Sequence, residues 1–176
     1  MTNPNDVPEV LFEGRHLQLV SRKGWEYADR PNVSGIVIIV AVTSENHLIL
    51  VEQFRPPVNS RVIELPAGLA GDIAGSEDEE LAEAARRELL EETGYAAETF
   101  TRLFAGPPSA GLSSEVLTFF RAEGLKKVDA GGGDDSEDIQ IHEVPVDQVT
   151  DWLNDRVQGG GVCIDPKIYA GLYFAR

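Results

Sequence analysis

The sequence predicts a mixed α/β domain carrying a small antiparallel sheet at its N-terminus. Three observations carry that expectation. Short strands separated by glycine turns fill the first thirty residues. A continuous apolar run, Gly35 to Val42, suits a strand buried on both faces. One amphipathic helix is expected from Glu77 to Thr93.

In chain order, Val10 to Glu13, Leu17 to Arg22 and Trp25 to Asp29 read as strands broken by Gly14 and by Lys23-Gly24. Three short strands are too thin to be stable alone. Residues 1–33 are therefore expected to pack on the main domain, residues 34–176, or on a second subunit. After the apolar run, His47 to Phe54 and Arg61 to Leu65 are expected strands. In the helix, Ala82, Ala85 and Leu89 form the core stripe, Ser76 is the expected N-cap and Gly94 the C-cap. Further strands are expected at Thr99 to Phe104, Glu115 to Ala122 and Ile139 to Val144. Asp129 to Asp138, rich in glycine and acid, reads as a mobile loop. Val146 to Arg156 is an expected helix. Gly159 to Gly161 is a flexible connector, and Asp165-Pro166 pairs N-cap with first-turn proline for a final helix through Ala175.

The chain of 176 residues carries 15 basic and 30 acidic groups, a formal charge of −15. Such a surface argues against nonspecific nucleic-acid binding, which needs cations. A small anionic substrate remains open if a divalent cation stands between its phosphates and the protein's carboxylates. No apolar run is long enough to span a bilayer, and Met1 to Pro8 lacks the pattern of a signal peptide. Cys163 is the only cysteine, so no intrachain disulfide can form. These features point to the cytoplasm.

The chemistry concentrates in Arg87-Glu88-Leu89-Leu90-Glu91-Glu92-Thr93-Gly94-Tyr95. On a helix, Glu88, Glu91 and Glu92 fall within roughly 100° of arc. Three carboxylates there repel one another, and a hard cation such as Mg²⁺ or Mn²⁺ would turn repulsion into binding. A solvated glutamate-rich face is the plain alternative.

This run resembles the core of the Nudix box, Arg-Glu-apolar-x-Glu-Glu-x-Gly-apolar. The resemblance implies a Nudix fold, a mixed sheet sandwiched between helices, with the N-terminal sheet contributing to a homodimer. It implies Glu88, Glu91 and Glu92 as metal ligands and Arg87 as a structural residue paired with an upstream acid. That acid is Glu79, with Glu77 as the alternative. The spacing departs from the family pattern, because Ile73 stands where the opening glycine belongs. Gly68 fits that role if the loop holds an insertion of about five residues around Gly71 to Gly75.

The flanks resemble the ADP-ribose and ADP-sugar pyrophosphatase branch. Val51-Glu-Gln-Phe-Arg-Pro-Pro57 and Glu64-Leu-Pro-Ala-Gly68 carry the likeness. By resemblance, Arg55 contacts the diphosphate or terminal ribose; a surface ion pair is its alternative. The Ala67 carbonyl is a further metal ligand. Trp25-Glu26 resembles a substrate-binding pair whose indole stacks on adenine across a dimer; packing in the dimer interface without ligand is the alternative for Trp25. Pro108 to Glu115 resembles the loop after the box, with Ala110 replacing its second proline. Glu115 would lie near the metals or simply start a strand. Glu137, with Asp135 second, matches the acidic residue of the loop before the final strand that serves as general base or metal ligand. The implied reaction is metal-dependent hydrolysis of ADP-ribose or a related ADP-sugar to AMP and a sugar phosphate. Another nucleotide sugar such as GDP-mannose, and a non-catalytic ADP-ribose sensor, are the alternatives. The three histidines, His16, His47 and His142, read as structural.

Overall fold

The computed structural model describes residues 7–73, 75–133 and 138–176. Three strands open the chain: β1 (Glu9–Glu13), β2 (Gln18–Arg22) and β3 (Trp25–Asp29) form an antiparallel sheet in that order. Next come β4 (Gly35–Ala41), β5 (His47–Arg55), β6 (Ser60–Glu64), β7 (Ala67–Ala70) and helix α1 (Leu81–Thr93). Strands β8 (Tyr95–Ala96), β9 (Thr99–Gly106), β10 (Leu117–Glu123), β11 (Lys126–Lys127) and β12 (Gln140–Pro145) follow. Helix α2 (Val149–Gln158), strand β13 (Val162–Ile164) and helix α3 (Lys167–Ala175) complete it.

Two four-stranded mixed sheets build the body, in the orders β7-β4-β10-β9 and β12-β5-β6-β13. Strand β4 runs parallel to β10, and β13 runs parallel to β6. Side chains of β4 alternate between two cores, as a strand's period of two demands. Ile38 and Val40 join Leu48, Leu50, Leu153, Ile168 and Leu172. Val37, Ile39 and Ala41 join Ala84, Ala85 and Leu89 of α1. The sheets are thus enclosed by α1 on one side and α2 and α3 on the other. Leu89 is fully buried, which contributes about 2–3 kcal/mol relative to exposure. Among the described residues, no helix is long and apolar enough to cross a membrane.

Several expectations need correction. Helix α1 begins at Leu81, not Glu77, and Ser76 does not cap it; Glu80 stands at the N-cap position without a side-chain bond. The acids before it are engaged elsewhere. Glu77 accepts from the Gly75 amide at 2.9 Å, and Glu79 accepts from Arg87. The buried stripe takes in Ala84 beside Ala85 and Leu89, while Ala82 is only half-buried.

The start of the acidic loop is pinned to α1. The amides of Gly132 and Gly133 donate to the carbonyls of Glu92 and Glu91 at 2.9 and 3.1 Å. Gly94 makes this possible twice over. It closes α1 with φ +69°, and a Cβ there would stand 2.1 Å from the Asp129 carbonyl oxygen. Helix α2 starts at Val149, three residues after its expected start. Pro166, not Asp165, stands at the N-cap position of α3, without a side-chain bond; Asp165, one residue earlier, accepts from the Lys167 amide at 2.8 Å.

Candidate active site

Arg87 sits at the centre of the site. Its guanidinium donates to both Glu79 carboxylate oxygens at 3.2 and 3.1 Å, and to the Leu69 carbonyl at 2.9 Å. The remaining nitrogen reaches Glu88 at 2.8 Å and Glu91 at 3.3 Å. One side chain therefore ties the loop before the helix, strand β7 and the acidic face of α1. Arg87 holds the Glu79 carboxyl below its usual range, and Glu79 in turn raises Arg87's own basicity.

Glu88 lies against Gly68 at the start of β7. A Cβ at Gly68 would fall 1.9 Å from the Glu88 carboxyl carbon, so any larger residue there would push the Glu88 side chain aside. Burial pushes the Glu88 carboxyl up to about 7, against the pull of Arg87; nearby Glu91 and Asp72 add to the rise. Glu92 is buried and accepts a hydrogen bond from the Ala67 amide at 3.0 Å.

These carboxylates border two separate hollows. Glu88 and Glu92 line a cleft of about 490 Å³ together with Ala67, Arg30, Arg55 and Glu115. Glu91, exposed, lines an adjoining acidic hollow of about 650 Å³ with Asp72 and Asp129, and Glu88 borders both. Across the cleft, Arg55 donates to Glu64 at 2.6 Å and Arg30 to Glu115 at 3.1 Å. Burial raises the Glu64 carboxyl, and Arg55 opposes the rise. The cleft thus holds carboxylates of α1 and two guanidiniums together.

The donor chemistry fits a hard divalent cation. Adjacent carboxylates, one of them raised by burial, and a nearby backbone strand supply only oxygen ligands on the cleft's acidic wall. Yet no three of the described His, Cys, Asp and Glu side chains are gathered into a cage. Glu88 and Glu91 are both turned onto Arg87.

Trp25 lies outside the cleft. It is 66% exposed and lines a different hollow with Arg22, Tyr27 and Ala110. Glu26 is exposed and alternates with Trp25 and Tyr27 along β3. Strand β3 is joined to the loop after β9: Ala28 donates to the Leu112 carbonyl at 2.8 Å, and Ser114 donates back to Ala28 at 3.1 Å. Glu137 and Asp135 lie outside the described residues.

A family model described as the NUDIX domain matches residues 33–160. The chain belongs to the Nudix family. Curated relatives of this Nudix hydrolase include a methanol dehydrogenase activator of Bacillus methanolicus, 34% identical over 155 residues, covering 84% of this chain and 81% of that one. An ADP-ribose pyrophosphatase of Bacillus subtilis (strain 168) is 34% identical over 123 residues, 69% of this chain and 64% of that one. A GDP-mannose pyrophosphatase of Pectobacterium atrosepticum is 33% identical over 135 residues, 72% and 67% of the two chains. The crystal structure of an ADP compounds hydrolase superposes with TM-score 0.68 at 22% identity, covering 95% of this chain and 88% of that one. That likeness establishes the fold.

Sequence reasoning singled out none of Arg30, Asp72 and Lys167, which line the Nudix cleft, and met Gln53 only inside the Val51 to Pro57 run. Glu64 was visible only as part of Glu64-Leu-Pro-Ala-Gly68. A period of two along β5, placing Gln53 beside Arg55, is the signal that could have found Gln53.

Proposed function

We propose that this Nudix hydrolase cleaves the pyrophosphate bond of ADP-ribose or a related ADP-sugar, giving AMP and a sugar phosphate. One observation supports it above the others. Glu88, Glu92, Arg30 and Arg55 line a single cleft, so a diphosphate there can meet guanidiniums directly and the carboxylates through a bound cation. A divalent ion, Mg²⁺ or Mn²⁺, held by Glu88, Glu91, Glu92 and the Ala67 carbonyl would neutralise the diphosphate and supply an activated water. Arg55 binds a phosphate oxygen, and Glu64 fixes the guanidinium's orientation. Glu115 orients Arg30 in the same way. Glu137, with Asp135 as the alternative, takes the proton of the attacking water; this assignment rests on the family resemblance. Water adds to one phosphorus as the bridging P–O bond breaks, and the second phosphate departs with that oxygen.

A homodimer belongs to the same proposal. Strand β1 is exposed along its whole length, with Phe12 at 67% exposure. A second subunit covering residues 1–33 would bury these apolar groups and bring Trp25 towards its partner's cleft as a purine platform. A cytoplasmic location completes it, in keeping with the exposed, unpaired Cys163.

GDP-mannose is the second reading. It is favoured by Ala110, which replaces the loop's second proline, and by the GDP-mannose pyrophosphatase among the relatives. The test is incubation with Mg²⁺ and ADP-ribose, ADP-glucose, GDP-mannose, NADH or CoA, with nucleoside monophosphate read by chromatography. Fastest AMP release from ADP-ribose is expected. Faster GMP release from GDP-mannose transfers the assignment to the second reading. Tight binding of ADP-ribose without turnover would replace the enzyme by a sensor.

A further inference from the structure

Every hydrogen of the Arg87 guanidinium already has an acceptor. Its five N–H groups meet two oxygens of Glu79, the Leu69 carbonyl, Glu88 and Glu91. Asp72 is a sixth acceptor. Its Oδ1 lies 3.5 Å from Nη2, whose two hydrogens go to Leu69 and Glu79, so Asp72 faces the charge without a hydrogen of its own. Asp72 also shares a position with Glu88. Among the described residues, these two alone line both the cleft and the acidic hollow.

Asp72 belongs to the loop that exceeds the box pattern by about five residues. The chain is tied down just before it. The Gly71 amide donates to Glu79 at 3.3 Å, and the Ser34 amide donates to the Ala70 carbonyl at 2.8 Å. Asp72 is thereby set beside the same acid that orients Arg87. Its place matters because Glu88 and Glu91 both accept from Nη1. A divalent ion held by those two carboxylates would stand close to the guanidinium they already serve, and like charges repel. A carboxylate on Nη2 offsets that repulsion. We infer that Asp72 is a positioning residue for the cation: it holds Arg87 from Nη2, so that Glu88 and Glu91 can leave Nη1 for a divalent ion. This rests on the reading of Glu88 and Glu91 as metal ligands and adds a residue outside the box that sets their affinity.

The test is titration of the full chain with Mn²⁺ at fixed ionic strength, with free ion read by electron paramagnetic resonance. Line broadening in isotopically labelled water counts the waters on the bound ion. Asp72→Asn is expected to weaken Mn²⁺ binding about fivefold, with the bound waters and the melting temperature in EDTA unchanged. Asp129→Asn is the control, because Asp129 lines the acidic hollow but accepts from the Ala130 amide. It should weaken binding by less than about twofold. Equal weakening in the two variants would overturn the inference, since Asp72 would then be one charge in an acidic field. An additional bound water in Asp72→Asn would overturn it too, by making Asp72 a ligand itself. Glu91→Gln probes the reading beneath. If Glu91→Gln weakens Mn²⁺ binding and Asp72→Asn does not, the inference alone fails. If wild-type protein binds no Mn²⁺, or Glu91→Gln binds it as well as wild type, the metal-ligand reading fails and the role of Asp72 falls with it.

Discussion

Two carboxylates, buried Glu52 and half-buried Glu88, sit in opposite circumstances. Glu52 is 2% exposed on the α2 side of β5, beneath three basic groups. Arg61 donates to it at 2.9 Å, Arg156 at 2.5 Å, and His142 lies 2.9 Å away. Burial pushes the Glu52 carboxyl up, but His142, Arg61 and Arg156 outweigh it and hold the group below the ordinary carboxylate range. Among the described residues Glu88 meets one cation, Arg87, shared with Glu79 and Glu91, and burial takes its carboxyl up to about 7. One acid is met by three basic groups, and the other shares one guanidinium with two further carboxylates. Burial alone therefore does not mark function; an unbalanced charge in a cleft does.

The sharpest way to break the comparison is Glu92→Gln, which removes a carboxylate from the acidic wall beside Glu88. Turnover is expected to fall about a thousandfold, roughly 4 kcal/mol of transition-state stabilisation, with the melting temperature nearly unchanged. Steady-state rates with calorimetric melting would show it. A variant that melts early and loses activity in proportion would mean that Glu92 is structural, like Glu52.

Glu52→Gln should do the reverse. It leaves Arg61 and Arg156 facing a neutral amide, at a cost of about 3 kcal/mol in urea unfolding at neutral pH. Specific activity of the folded fraction should be preserved. The pH dependence has a definite sign. A carboxyl held below its free value of 4.5 contributes stability above that pH and loses it as pH falls through the lowered value. The gap between wild type and variant should therefore close in acid below pH 4.5. A gap independent of pH would show that packing, not charge, holds the cluster.

The Glu88 side of this contrast was legible in the sequence; the Glu52 side was not. The arc of Glu88, Glu91 and Glu92 follows from helical spacing, and Gly94 as the end of α1 follows from the left-handed turn a helix needs there. The alternation of β4 between two cores also follows from its unbroken apolar run. Strands β7 and β13 carry no periodic signal. They exist because β4 and β6 offer open edges, a tertiary cause that local pattern does not encode. The start of α1 was misplaced because Ser76 and Glu77 look like a helix entry, whereas their loop is committed to Arg87 and the backbone. The separation of Glu91 from Glu92 into neighbouring hollows depends on where β7 and the glycines after Asp129 pack. Gln53 reads as an ordinary strand residue until the cleft around it is seen.

The smallest effect concerns the acid that serves Arg87. Glu79 meets the guanidinium through two oxygens and also accepts from the Gly71 amide at 3.3 Å. Glu77 accepts from the neighbouring Gly75 amide and from its own, and so stays within its turn. Glu79→Gln should therefore cost about 1–2 kcal/mol of stability, since a charged, two-point pair becomes a neutral one. Turnover should fall about tenfold, because Arg87 also positions Glu88 and grips Leu69 on β7. Glu77→Gln should leave both quantities unchanged. Melting curves and rates of the two variants side by side decide the matter. If Glu77→Gln proves the more damaging, the loop before α1 is threaded differently, and Glu88 is held by a contact other than the Glu79–Arg87 pair.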